Sequence, residues 1–141
     1  MKLVSLTLVK DEEYWIWYVL TALHPWVDRM VVCDNGSRDG TLEVIRGMGH
    51  IRDKLELHED FRGDSEAELR EMTLAAAREA GGTHVLVADG DEVWPADDLR
   101  FCRELLERVA HRRPLPFPDR AGEGRRSGAV VRHLGVRPLH P

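Results

Sequence analysis

Asp89-Gly90-Asp91-Glu92 follows the apolar run Val85-Leu86-Val87-Ala88, so three carboxylates cluster around one glycine where the chain leaves a buried strand. Carboxylates this close repel one another, and a nearby cation relieves the repulsion. Asp89 and Asp91 supply hard oxygen ligands, suited to Mg2+ or Mn2+. Magnesium is commonly held by one or two carboxylates, with substrate phosphates completing its shell. The pattern points to a metal-diphosphate site. The competing reading is a solvated acidic turn that opens a helix.

Two more acidic turns follow apolar runs. Val9-Lys10-Asp11-Glu12-Glu13 ends the first, and Asp34-Asn35-Gly36-Ser37-Arg38-Asp39-Gly40-Thr41 ends the second. An acid at the end of a second strand is well placed to accept hydrogen bonds from a ribose or a base, although turn chemistry and a helix cap account for the same residues. An EF-hand loop is excluded, because Gly36 and Arg38 stand at its third and fifth positions. A dinucleotide fingerprint is excluded too, because the turn after Val9 holds no glycine for a pyrophosphate. Arg70 carries a fork of donors suited to a phosphate or to one of the acids, unless it simply pairs with Glu66, Glu68 or Glu71.

Elements must hold these turns together. Strands are expected at residues 3–9, 29–33, 54–59 and 84–88, the third weakly patterned. Helices are expected at 12–23, with acids in the first turn, at 41–48 capped by Ser37 or Asp39, at 65–80 closed by Gly81-Gly82, and from Pro95 through Val109. Strand and helix alternate, which implies right-handed crossovers and a mainly parallel sheet covered on both faces. Ligands of such sheets bind beyond the carboxyl ends of the strands. The three acidic turns should therefore share one rim.

The 141 residues suffice for one domain with a workable core, and 43% apolar with 32% charged content is globular. A net charge of −5 argues against a general nucleic-acid binder. Charge is uneven: residues 1–111 hold 13 Lys/Arg against 23 Asp/Glu, whereas residues 112–141 hold seven Arg against Asp119 and Glu123. That second stretch also carries five of the seven prolines. A folded unit over 1–111 and a basic, Pro/Gly-rich, irregular tail over 112–141 are expected. The tail's only apolar pattern is at Gly128-Ala129-Val130-Val131. Cys33 and Cys102 read as ordinary buried thiols of a reducing compartment. The tryptophans read chiefly as packing residues, and the histidines show no zinc spacing. No leader-like or membrane-length apolar run occurs, so a cytoplasmic location is expected, with docking on a membrane surface left open.

Together, Leu8-Val9-Lys10-Asp11-Glu12-Glu13, Val31-Val32-Cys33-Asp34-Asn35-Gly36-Ser37-Arg38-Asp39-Gly40-Thr41 and Val85-Leu86-Val87-Ala88-Asp89-Gly90-Asp91-Glu92 resemble family 2 glycosyltransferases of the GT-A fold, over about residues 1–100. The resemblance implies a Rossmann-like three-layer sandwich, a nucleotide-diphosphate sugar donor, a divalent cation (Mn2+ or Mg2+), and a saccharide, lipid or protein acceptor. It implies that Val9 and Asp11 line the nucleoside pocket, with Asp11 where the family usually has asparagine. Asp34 would hold the base or ribose, Arg70 would match an arginine in the helix before the D-x-D strand, Asp89 would face the ribose or sugar, and Asp91 would bind the metal. The family's carboxylate base comes from well downstream, and neither Asp119 nor Glu123 matches it. The catalytic base is therefore unassigned, and the chain reads as truncated after its donor-binding half.

Two rival readings stand beside this one. The first is a non-catalytic nucleotide-sugar-binding remnant or module. The second is a phosphatase of the haloacid-dehalogenase type, with Asp89 as nucleophile. That chemistry needs a downstream lysine or arginine and further acids on later strands, and no lysine follows Lys54.

Overall fold

The computed structural model describes residues 1–110 and the backbone of residues 129–131. Strand β1 (Leu3–Val9) is followed by α1 (Ile16–Leu23), β2 (Arg29–Asp34), α2 (Thr41–Gly47), a 3-10 turn (Gly49–Ile51) and β3 (Leu55–His58). Helix α3 (Glu66–Glu79), β4 (His84–Val87), α4 (Ala96–Ala110) and β5 (Ala129–Val131) complete the order. The five strands lie in the order β3-β2-β1-β4-β5, and every pair is parallel. The expected α/β architecture is present.

The sheet is covered on both faces because strand residues alternate sides. Leu3 and Val9 of β1, with Met30, Val32 and Leu86, pack under Ile16, Leu20 and Leu23 of α1, Ile45 of α2, and Leu99 and Leu106 of α4. Val4 and Leu6, with Val31, Cys33 and Val85, pack on Ala76 and Ala77 of α3. Among the described helices, α3 alone covers this face. It carries the chain from β3 across β2 and β1 to β4. The strand order therefore reverses between β1 and β4, and the carboxyl ends of those two strands flank the place where such sheets bind ligands.

Three expectations need correction. The first helix starts at Ile16, not Glu12, and has no acid in its first turn. The amides of residues 11–13 are held instead by side chains of the loop after β2, so this stretch forms a turn. Asp11 there takes a left-handed φ of 58°. Second, the residue before α2 is Gly40, whose amide is met by Glu13 from the turn after β1; of the two expected caps, Asp39 accepts from the Thr41 amide, whereas Ser37 accepts from the Asp11 amide. Third, Trp15 and Trp17 are not packing residues: they are 53% and 43% exposed, and Trp17 lies against the His50 ring. Trp26 and Trp94 do pack against the core.

Helix α3 follows its expected bounds closely. Ser65 accepts from the Glu68 amide, Glu68 reaches back to the Asp64 amide, and Gly81 exits at φ 79°. Within the stretch expected to be irregular, Ala129–Val131 forms the strand β5, paired in register with His84–Leu86. The rest of 112–141 lies outside the described residues. No described helix is long and apolar enough to cross a membrane.

Candidate functional site

The register of the sheet sets which turns meet. Val9 pairs with Asp34, so β1 and β2 end flush. Leu6 pairs with Val87, and carrying that register past β4 brings Gly90 level with Val9. Contact follows: a Cβ on Gly90 would lie 3.0 Å from Val9 Cγ1 and 3.0 Å from Glu12 Cγ. The buried glycine thus lets the Asp89–Asp91 turn close onto the turn after β1.

The turn after β1 is in turn laced to the loop after β2. The Asp11 amide donates to Ser37 Oγ (2.9 Å), and the Arg38 amide donates to Asp11 Oδ1 (2.6 Å). The Glu12 amide donates to Thr41 Oγ1 (2.8 Å), and the Gly40 amide to Glu13 Oε2 (2.8 Å). Asp39 accepts from the Glu13 and Thr41 amides and from the Thr41 hydroxyl. These bonds hold the Asp39 carboxyl below the usual carboxylate range, against a desolvation that acts to raise it. Asp34 is 1% exposed, and its carboxylate accepts from the Gly36 and Ser37 amides at 2.9 and 3.1 Å. The Asn35 amide donates to the Val9 carbonyl (2.9 Å), which fastens the two strand ends.

The electrostatics follow from this gathering. The Glu12 carboxyl is pushed above its ordinary range, first by burial and then by Asp91, Asp39, Asp11 and Asp89. Charges from all three acidic turns therefore reach one carboxyl, and the rim carries an excess of negative potential.

The residues singled out in the sequence are placed as follows. Val9, Asp11, Asp34, Asp89 and Asp91 all stand at the carboxyl ends of the neighbouring strands β2, β1 and β4, with Asp91 exposed and Val9 buried. Arg70 lies in α3 and donates through Nε and Nη2 to Glu66 Oε1 at 3.0 and 2.8 Å, the pairing expected of a surface helix. No bond joins it to a rim acid. Glu12 was missed by motif reading, although the alternation of strand and helix put the whole turn on the rim. The described residues contain no group of three or more His, Cys, Asp or Glu side chains arranged to hold a metal. His24, His50 and His58 pair instead with Asp53, Thr21 and Glu56. Both cysteines are free thiols, and burial pushes Cys33 up to about 12.

The fold is that of the Rossmann-like GT-A type. The chain is similar to a crystal structure of residues 1–349 of TarS from S. aureus, with 21% identity and a TM-score of 0.63. The match covers 78% of this chain and 33% of that one. A mycobacterial protein matches at 21% identity and TM-score 0.60 over 82% of this chain and 38% of its own. Glucosyl-3-phosphoglycerate synthase from Mycobacterium tuberculosis, crystallised with Mn2+, uridine diphosphate and glucosyl-3-phosphoglycerate, matches at 21% identity and TM-score 0.57, over 78% of this chain and 40% of its own. The chain thus spans well under half the length of these structures. No family model matches, and no curated protein matches.

Proposed function

We propose that this chain is the donor-binding half of a glycosyltransferase, which holds a nucleotide-diphosphate sugar with a divalent cation for transfer of the sugar to an acceptor hydroxyl. The observation that carries this reading is the closure of the Asp89–Asp91 turn onto the Val9–Glu12 turn where the strand order reverses. A rim of carboxylates repels a bare diphosphate, so the anion binds there only with a cation between them. The donor set fits that ion: Asp89 and Asp91 offer hard oxygens, and one or two carboxylates suffice when phosphate oxygens complete the shell. The synthase crystallised with Mn2+ and uridine diphosphate has the same fold and supports the same ligand class for this chain.

In this reading Asp91 holds the cation, and Asp89 faces the cation and the sugar or ribose. Val9 and Asp11 line the nucleoside, and Asp34 shapes that end through the Gly36–Ser37 turn it fixes. Arg70, paired with Glu66 in α3, would have to turn from that partner to reach the donor. The cation, when bound, neutralises charge developing on the departing nucleoside diphosphate. The donor-binding turns are assigned to residues 1–111, with β5 adding an edge strand from beyond them, and a cytoplasmic setting is assigned to the protein.

Thermal unfolding with UDP-, GDP- and dTDP-sugars, with and without Mn2+, tests the reading. One donor should stabilise the protein by about 2.7 kcal/mol at a hundredfold excess over Kd, and only with metal. Asp91→Asn should abolish the metal-dependent part while leaving the ligand-free stability within about 0.5 kcal/mol, since Asp91 is exposed. If no donor stabilises the wild type at any metal concentration, the donor-site reading fails.

A further inference from the structure

We infer that Asn35 is a site of spontaneous covalent modification on the rim, deamidation through a cyclic imide, and that the buried Asp34 carboxylate is the latch that holds it back. The inference stands apart from the donor-site reading. The chain contains one asparagine and no glutamine, and that asparagine stands directly before Gly36. An asparagine before glycine is the most reactive setting for this chemistry, because the attacking amide carries no neighbouring Cβ to obstruct ring closure. In the reaction, hydroxide or water removes the Gly36 amide proton and the nitrogen attacks Cγ of Asn35. The N–Cγ bond forms, the Cγ–Nδ2 bond breaks, and the side-chain nitrogen takes up a proton and leaves as ammonia. Water then opens the imide at either carbonyl. The product is aspartate, or isoaspartate with the main chain rerouted through the side chain.

The fold leaves the departing group free and holds the attacking one. Asn35 is half-buried, and its side-chain amide has no hydrogen-bond partner among the described residues. The Gly36 amide donates to Asp34 Oδ2 at 2.9 Å, and the Ser37 amide donates to the same oxygen at 3.1 Å. Removing the Gly36 proton would put negative charge 2.9 Å from a buried carboxylate, which Coulomb repulsion opposes. The same device recurs in this loop. Asp39 precedes Gly40, a pair open to the same ring closure, and Glu13 Oε2 holds the Gly40 amide at 2.8 Å.

The modification would reach beyond its own residue. The Asn35 amide is fastened to the Val9 carbonyl, and the next two amides are fastened to Asp34. Isoaspartate lengthens the main chain between these two anchors, so the bonds on both sides cannot all be kept. The bond from the Asp11 amide to Ser37 Oγ, which joins this loop to the turn after β1, lies just past the insertion. Either product also adds a carboxylate to a rim already crowded with them.

Intact-mass spectrometry and ion-exchange chromatography of protein aged at neutral pH test the inference, and with a single asparagine the change reports on Asn35 alone. The folded wild type should deamidate at least about tenfold more slowly than the same chain unfolded in urea. Its Gly36 amide should exchange with deuterium at least about tenfold more slowly than in the unfolded chain, because both processes begin with loss of the same proton. Asp34→Ser removes the charge and adds no second asparagine. It should speed deamidation and Gly36 exchange by similar factors while the amides of Val31 and Val32 stay protected. The modified fraction should melt below the intact chain. Equal rates in folded and unfolded wild type, or a folded Asp34→Ser that ages no faster than wild type, would overturn the inference. If Asp34→Ser does not fold, exchange in the wild type decides: a protected Gly36 amide supports the latch, and an unprotected one removes it.

Discussion

Glu12 is the residue on which the rim's charge is most concentrated. Its backbone is pinned by Thr41, its side chain touches the Gly90 turn, and Asp91, Asp39, Asp11 and Asp89 all raise its carboxyl after burial has done so. In the absence of a cation this is a destabilising arrangement, because like charges are held together with no counterion. Glu12→Gln keeps the shape and removes one charge, so the metal-free variant should melt above wild type at neutral pH and low salt. The gain should shrink as salt screens the rim. A differential-scanning series from low to high ionic strength reads this directly; a variant that melts below wild type at low salt would show that Glu12 supports the fold in some other way. The sequence places the Asp11-Glu12-Glu13 turn on the rim but gives Glu12 no role of its own. The D-x-D and the Asp34 turn are local patterns, whereas the environment of Glu12 arises from three chain segments and becomes visible only when the sheet is assembled.

At the scale of elements, the end of the sheet opposite the site has its own clamp. Asp28, between α1 and β2, accepts from the Leu3 amide at 2.7 Å and from Arg103 Nη1 of α4 at 3.0 Å. Arg103 also donates to the Trp26 carbonyl and Glu107. Desolvation acts to raise the Asp28 carboxyl, but the Leu3 amide and Arg103 together pull it below its ordinary value of 3.8. A carboxyl lowered in the folded state contributes stability that is present above its unfolded pKa and lost as pH falls through the folded value. Asp28→Asn should therefore cost on the order of 1 kcal/mol at pH 7, a modest figure because the pair is partly exposed. Its deficit against wild type should narrow in melts taken below about pH 4. A deficit that is constant across this range would assign the loss to shape instead of charge. Elements with strong local signals were legible in the sequence: β1, β2, β4 and α3 fall within a residue or two of their expected bounds. The start of α1 was not, because acids in a first turn mark a helix locally, while here Ser37, Thr41 and Asp39 claim the same amides from another part of the chain.

For the whole molecule, the least legible feature was the far edge of the sheet. Only three residues of β5 pair with β4, and they sit in a stretch whose prolines, glycines and arginines read as irregular. Their effect is larger than their length, since they stop β4 from being an edge. Strand β4 is short and apolar, with Val85 and Leu86 buried, and an exposed strand of that kind invites pairing with another chain. Deleting residues 111–141 removes β5 and uncovers those backbone groups. The shortened chain should melt lower and self-associate, which light scattering after gel filtration would show as a mass above the monomer. The β1/β4 crevice lies on the other side of β4 and keeps Gly90 against Val9 and Glu12, so metal-dependent stabilisation by the donor should survive in the monomeric fraction. Loss of that stabilisation together with β5 would mean that the outer strand helps hold the Asp89–Asp91 turn in place. A monomeric shortened chain with an unchanged melting point would show that β5 contributes nothing to the sheet.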